Sequence, residues 1–450
     1  MNSRNPIGWR WMVVFLIMIC TNLTVHGQGK PSPRGPFATT WEEAYSRMKS
    51  FRGARQPGTD PSTLNGKVMC GYQGWFLAEG DGSGAGWVHY GKVVFEPGNC
   101  TVDYWPDMRE ATRAERYPTA FHHADGAVAT VFSSYNAATV NRHFKWMADY
   151  GIDGAFLQRF ATELKSPGDY DHLNAILDNV RRGANRNGRT WSVMYDLSGL
   201  QKGEIESIVM ADWKRLVDRM KVTSDASYQR QNGKPVVAVW GIGFDEGRDY
   251  TLGECERLID FLKNDPKYGG NCIMAGVPYG WREQNRDAVT DPHLHDVIRK
   301  VDIVSPWAVT RYRDIPEFTS TLDQFPKGDL AWCSENKLDY MPVIFPGFRW
   351  ENLQKTRGKD GSGEVIPRMK GEFFKGQGEG LISSGANMLY VAMFDEIDEG
   401  TAIFKCSDTP PVGASDFGTF EGMPTDAYLR IAGGLAKTLK QKSTSGKNSK

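Results

Sequence analysis

Eight short apolar, β-branched runs recur along this chain, most of them followed by a longer amphipathic stretch, and this alternation narrows the available folds more than any other feature. The runs are Val68–Tyr72, Asp153–Gln158, Trp191–Asp196, Pro235–Trp240, Cys272–Val277, Ile303–Trp307, Tyr340–Phe345 and Met388–Phe394. Helical periodicity marks Ala137–Tyr150, His172–Arg186, Glu204–Arg219, Leu252–Lys263, His293–Lys300, Arg368–Ser383 and Asp426–Lys440. A short strand followed by a longer helix, repeated, builds βα units around a parallel sheet. Eight such units close most economically into a single (β/α)8 barrel of the TIM type, an α/β fold. An open, doubly wound sheet is the competing architecture, but no G-x-G-x-x-G turn follows the first run. The first unit is abnormal. Residues 73–136, rich in Gly, Trp, Tyr and Asp, separate its strand from its helix. An insertion of that length in a compact domain is expected to be a lid or a binding element.

The two ends carry different signals. Arg4 and Arg10 flank the apolar run Trp11 to Cys20, and Val25-His26-Gly27 ends in a small residue. That run is too short for a membrane span, so residues 1–27 read as a cleavable export signal, and the protein is expected to be secreted or periplasmic. A lipoprotein reading with Cys20 as the lipidated residue is weaker, because Ile19 is bulky where a small residue belongs. Residues 28–60 form a lead-in, 61–440 the barrel, and 441–450 a Lys/Ser/Gly-rich tail expected to be disordered. Six cysteines remain after cleavage, with no C-x-x-C pair to suggest zinc. A Cys255–Cys272 disulfide and free buried thiols are both open readings.

Charge and aromatic content then bear on function. Lys plus Arg and Asp plus Glu number 54 each, which disfavours nucleic acid as a partner, since neutralising phosphates calls for a basic excess. No later segment is apolar enough to cross a membrane. The 14 Trp, 17 Tyr and 22 Phe exceed what a core requires, and flat rings stack on the C–H faces of sugars. A barrel works at the C-terminal ends of its strands. There the sequence places Tyr72 and Trp75, Tyr195 and Asp196, Trp240, Tyr279 and Trp281, Trp307, and Phe348 and Trp350. Any one of these rings could be core. Rings at most of the strand ends suit a cleft that grips a carbohydrate, so Tyr72, Trp75, Tyr195, Asp196, Trp240, Trp307 and Trp350 are the expected substrate-binding residues.

The last run ends Phe394-Asp395-Glu396-Ile397-Asp398-Glu399-Gly400-Thr401. Four acids in five residues repel one another, and a three-residue step around a turn brings Glu396 and Glu399 to one side. Glycosidic cleavage uses such a pair, one group protonating the leaving oxygen while the other acts as base or nucleophile. Mutual repulsion raises one partner's pKa and keeps its proton available near neutrality. A solvated acidic turn and a calcium loop are the plainer readings, though Ile397 interrupts the register a calcium loop needs. His122-His123 with Asp125 favours structure over metal, because adjacent strand side chains point to opposite faces. No G-x-S-x-G elbow is present, so no esterase of the α/β-hydrolase type is expected. The competitors to a glycosidase are a non-catalytic carbohydrate-binding barrel and a metal-dependent hydrolase using Asp395, Asp398 and a histidine. No cofactor is expected.

The segment Leu389 to Lys405, with Phe394 and then Glu396-x-x-Glu399-Gly400-Thr401, resembles the last-strand motif of glycoside hydrolase family 99, the endo-α-mannosidases, and of related family 71/99-like proteins. Weaker similarity covers Cys70 to Phe76, Ser192 to Asp196, Lys234 to Trp240 and Met341 to Gly347. The resemblance implies hydrolysis with retention of configuration through a 1,2-anhydro sugar. It implies that Glu396 takes the 2-hydroxyl proton and that Glu399 protonates the leaving group and later activates water. The family carries Trp-His between its two glutamates where this chain has Ile397-Asp398, a departure that bears on sugar specificity more than on mechanism.

Overall fold

A computed structural model describes residues 29–359 and 365–445. The export signal expected at 1–27 and residues 446–450 lie outside the described residues. The strands of the main sheet are β1 (Val68–Tyr72), β2 (Gly154–Phe160), β3 (Thr190–Asp196), β4 (Lys234–Trp240), β5 (Cys272–Val277) and β6 (Ile303–Pro306). β7 has two segments, Asp339–Tyr340 and Val343–Ile344, and β8 is Leu389–Val391. Consecutive strands pair in parallel from β1 to β6. The first segment of β7 pairs with β6, the second pairs with β8, and β8 pairs with β1. The ring therefore closes. β7 was expected as one run, Tyr340–Phe345, and it breaks at Met341-Pro342 because proline has no N–H to give a ladder. Its carbonyl is still used, accepting from the Tyr390 amide at 3.0 Å.

Helices alternate with the strands: α1 (Ala137–Tyr150), α2 (Pro167–Arg186), α3 (205–220), α4 (Leu252–Asn264), α5 (His293–Arg299), α6 (Gly328–Glu335), α7 (Glu372–Ser384) and α8 (Ala427–Ser445). Their ends are written in the sequence. The Asn136 side chain accepts from the Ala138 amide to start α1, and Gly151, at φ 80°, stops it in the left-handed conformation a glycine adopts without cost. Thr251 and Glu254 form a reciprocal capping box on α4. α3 winds as wide π turns on either side of an α-helical turn at Ala211–Arg215. The helical connection after β6 has no counterpart among the expected elements. Ile315–Thr321 leads through a turn containing Pro326 into α6, and the proline disrupts the apolar period. α8 runs to Ser445, five residues into the expected tail. Among the described residues no helix is long and apolar enough to cross a membrane.

The insertion after β1 is anchored. Its hairpin, Tyr117–His122 with Val128–Val131, bridges to the segment following β8 through His122 and Val412. Tyr104 bridges to Gly418 and Pro106 to Cys406. Trp105 packs against Phe121 at 5.1 Å and Phe417 at 5.2 Å between ring centroids. The insertion and the β8 extension thus share an aromatic core over one side of the barrel mouth. The six cysteines of the described residues are all buried and unbridged, so Cys255 and Cys272 are not a disulfide. They pack as small hydrophobes, and burial pushes the Cys255 thiol up to about 12.

Candidate active site at the strand ends

Strand alternation decides which side chains reach the barrel axis. Along β1, Tyr72 points outward to α1, and its hydroxyl hydrogen-bonds His143 Nδ1 at 2.8 Å with the ring fully buried. Along β3, Tyr195 points outward to α3 and donates to Asp212 at 2.7 Å, again fully buried. Neither ring lines the cleft. Side chains alternate along a strand, so the inward residues are the neighbours, Gln73 beside Tyr72 and Asp196, itself expected, beside Tyr195. Tyr72→Phe and Tyr195→Phe are therefore expected to cost about 1 kcal/mol of stability each, and to leave KM for substrate unchanged. Trp240→Ala or Trp307→Ala should raise KM about tenfold at constant fold, as loss of a stacking surface does. Steady-state kinetics and denaturant unfolding separate the two classes.

The turn after β8 holds the acids, and each has its own surroundings. Asp395 is fully buried and accepts from the amides of Gln73 at 2.8 Å and Gly74 at 2.9 Å. Each of its oxygens thereby clamps the end of β1. Gly74, at φ 67° with Ile176 against its Cα, makes the turn that presents both amides. Glu396 is 5% exposed. One of its oxygens accepts from Gln73 Nε2 at 2.6 Å and the other from the Thr401 hydroxyl. Burial, and then the Glu399 and Asp398 carboxylates, push its pKa well above the ordinary value. Glu399 is half-buried, and among the described residues no group donates a hydrogen bond to its carboxylate. Burial and then Asp398 push it up to about 7, against the charges of Arg357 and His89. Gly400, at φ 63°, lies so close to the Arg349 backbone that a side chain there would collide. The turn carrying Glu399 is fixed by that contact and by the Arg349 amide, which donates to the Glu399 carbonyl at 3.0 Å.

The remaining predicted residues sort clearly. Trp75 stacks flat on His89, with centroids 3.9 Å apart and planes 3° apart, and on Phe160 at 5.3 Å. Trp240 and Trp307 are both half-buried and meet edge to face at 5.6 Å. Trp350 is half-buried, with the Arg357 guanidinium 5.9 Å over its ring. Asp196 is buried at the end of β3 and accepts from the Ser198 amide at 2.8 Å, and burial raises its pKa. Trp75, Asp196, Trp240, Trp307 and Trp350 therefore sit at the strand-end face with Glu396 and Glu399.

Four site residues were not expected, and three of them, His89, Glu163 and Arg357, carry no periodic signal. Gln73 binds Glu396 directly. His89 reaches Asp398 from the insertion at 3.0 Å. Glu163, in the turn Ala161–Lys165 after β2, is pushed up to about 7 by burial, while the charge of His89 opposes. Arg357, just past the helix Glu351–Thr356, supplies a positive charge that lowers the Glu399 pKa. His122 and His123 lie on the hairpin, where His123 Nδ1 meets the Thr409 carbonyl at 3.0 Å. Among the described residues no three His, Cys, Asp or Glu side chains converge as metal ligands. Two grooves of about 920 and 860 Å³ run along the insertion, beside Trp87 and Val93 and beside Arg109 and His123, away from the acid pair.

No protein-family model matches the chain, and no curated protein matches it. Among solved structures it is similar to the GH99 endo-alpha-mannosidase from Bacteroides thetaiotaomicron, at 12% identity over 85% of this chain and 100% of that one, TM-score 0.61. The structure of the GH99 enzyme of that organism in complex with bis-tris-propane matches at 14% identity over 85% and 100%, TM-score 0.58. A glycoside hydrolase-like protein matches at 14% identity over 86% and 98%, TM-score 0.50. At these identities the likeness establishes the α/β barrel fold.

Proposed function

We propose that this chain is an exported glycoside hydrolase that cleaves a poly- or oligosaccharide with Glu396 and Glu399 as its working carboxylates. One observation carries the reading: two carboxyls, Glu396 buried and Glu399 half-buried, share the turn that ends β8, and burial with neighbouring carboxylates raises both above their ordinary range. A barrel does its chemistry at that face. Glu399, which accepts no hydrogen bond among the described residues and is pushed up to about 7 by burial and then Asp398, suits a general acid that must hold a proton and then release it. Glu396 has both oxygens engaged by neutral donors, Gln73 and Thr401, so its position is fixed while its charge is not neutralised. That suits a base, or a nucleophile, aimed at one atom of the sugar. The similarity to family 99 favours the base, with proton abstraction from the sugar 2-hydroxyl, an anhydro intermediate and retained configuration. The half-buried indoles of Trp240, Trp307 and Trp350 supply the stacking surfaces, while Trp75 is covered by His89 and Phe160. The apolar run Trp11 to Cys20 supports action outside the cytoplasm.

The experiment is product release by the purified protein from α-mannans, α-glucans, xylans and sulfated algal polysaccharides, with the first-formed anomer read by NMR. Release from one of them, with the substrate's own anomeric configuration in the product, is the expected result. Binding of a polymer without release from any would transfer the reading to a carbohydrate-binding barrel. Inverted product would remove the family 99 chemistry and keep the hydrolase.

A further inference from the structure

We infer that His89 and Asp398 form a charge-bearing dyad that governs how tightly Glu399 holds its proton, which makes His89 a positioning residue for the acid step. The inference rests on the reading of Glu399 as the acid, and it begins from how His89 is held. The residue sits at φ 60°, in the left-handed region that a non-glycine residue seldom occupies, at a cost of about 1 kcal/mol or more. Two hydrogen bonds between Leu77 and Val88 fix the chain immediately before it, and the Thr101 hydroxyl donates to its carbonyl at 2.5 Å. The imidazole lies parallel to Trp75 at 3.9 Å, an arrangement that favours a cation over the indole face.

The polar edges of the ring are used unequally. Nδ1 meets Asp398 Oδ2 at 3.0 Å, and the second Asp398 oxygen is buried without a partner. A buried carboxylate with one protein contact draws the proton to Nδ1 of that contact. The histidine side chain is 30% exposed, and among the described residues its Nε2 has no protein partner. His89 is therefore held on one edge and open on the other, beside the acids. A core histidine would be enclosed on both.

The charges around Glu399 come from three elements. Asp398 and Glu396 share its turn, His89 arrives from the insertion, and Arg357 from the segment after β7. Around His89 itself stand Asp398 and Glu399, Glu163 from the turn after β2, and His172 from α2. Asp398 alone would leave Glu399 beside an uncompensated negative charge and tighten its hold on the proton. A positive charge on the His89 ring would offset that charge and let Glu399 give its proton to the leaving oxygen and then take one from water. A carboxyl that acts twice needs this intermediate grip.

The test needs no substrate for its first arm. Histidine-selective isotope labelling and an NMR pH titration give the His89 midpoint in the wild type, Glu399→Gln and Asp398→Asn. Each substitution removes a negative neighbour, so the midpoint should fall in both, further in Asp398→Asn. A midpoint unchanged in Glu399→Gln overturns the dyad, even if Asp398→Asn does not fold. The second arm is the pH–rate profile on whichever polymer the protein cuts. His89→Gln should move the basic limb to higher pH and His89→Arg should leave it in place, a contrast that a merely structural histidine would not produce. Full hydrolysis by Glu399→Gln would instead remove the acid assignment itself, whatever the His89 midpoint does.

Discussion

Glu396→Gln is expected to lower turnover about a thousandfold or more and at the same time to raise the melting temperature at pH 8. The loss follows from position. Glutamine preserves the bonds from Gln73 and Thr401 only in part and cannot take a proton from the sugar. The gain follows from charge. Glu396 and Glu399 are both held above their ordinary range, first by burial and then by neighbouring carboxylates. For Glu399 the folded value of about 7 stands above the ordinary 4.5. Its stabilising contribution is full below about pH 4.5 and is lost as the pH rises through about 7. A glutamine has nothing to lose across that window. Glu399→Gln should accordingly match the wild type at pH 4 and exceed it at pH 8 by on the order of 1–3 kcal/mol, and Glu396→Gln should move in the same direction. Thermal melts at the two pH values, run on the proteins used for kinetics, check both halves. Variants that lose both activity and stability at pH 8 would mark the acids as structural.

The largest stability effect is expected away from the acid pair, at Asp212→Ala. Arg159 and Asp212 are each about 1% exposed and joined twice, Nε to Oδ2 at 2.6 Å and Nη2 to Oδ1 at 2.7 Å. Tyr195 donates to the same carboxylate, Asn174 accepts from the guanidinium at 2.9 Å, and Tyr170 lies 5.4 Å under it. Removing Asp212 strands a buried guanidinium, which costs about 3–5 kcal/mol. The double change Arg159→Met with Asp212→Leu should recover most of that loss, because an apolar pair of similar volume leaves no charge unmatched. Urea unfolding of the three proteins measures it. Recovery absent from the double variant would mean that the network, beyond its charge balance, is needed for packing between β2 and α3.

The barrel was legible because its signal is repetitive. β1 and β5 have the same bounds as their runs, and α1 the same bounds as its periodic stretch, since continuous apolar runs mark the strands and Asn136 and Gly151 cap the helix. It became unreadable where proline intrudes: Pro342 splits β7, and Pro326 hides the helix before α6. The acidic turn was legible for the opposite reason, as four like charges in five residues stand out at the end of the last strand. The tyrosines were misplaced by one residue of a two-residue period, enough to turn Tyr72 and Tyr195 from the cleft to the helices. Gln73 would have been found by continuing that period one step past the end of β1. His89, Glu163 and Arg357 lie in turns and loops, where sequence spacing says nothing about direction. Tertiary placement alone brings them to Glu399.

The measurement that bears most directly on the central claim compares wild type and Glu399→Gln on two substrates of one sugar, the polymer the protein cuts and its dinitrophenyl glycoside. An alkoxide leaves only with a proton, whereas a dinitrophenolate leaves without one. The account predicts a loss of about a hundredfold to ten-thousandfold on the polymer and a much smaller change in formation of the dinitrophenolate. Equal rates for the two proteins on the polymer would contradict it.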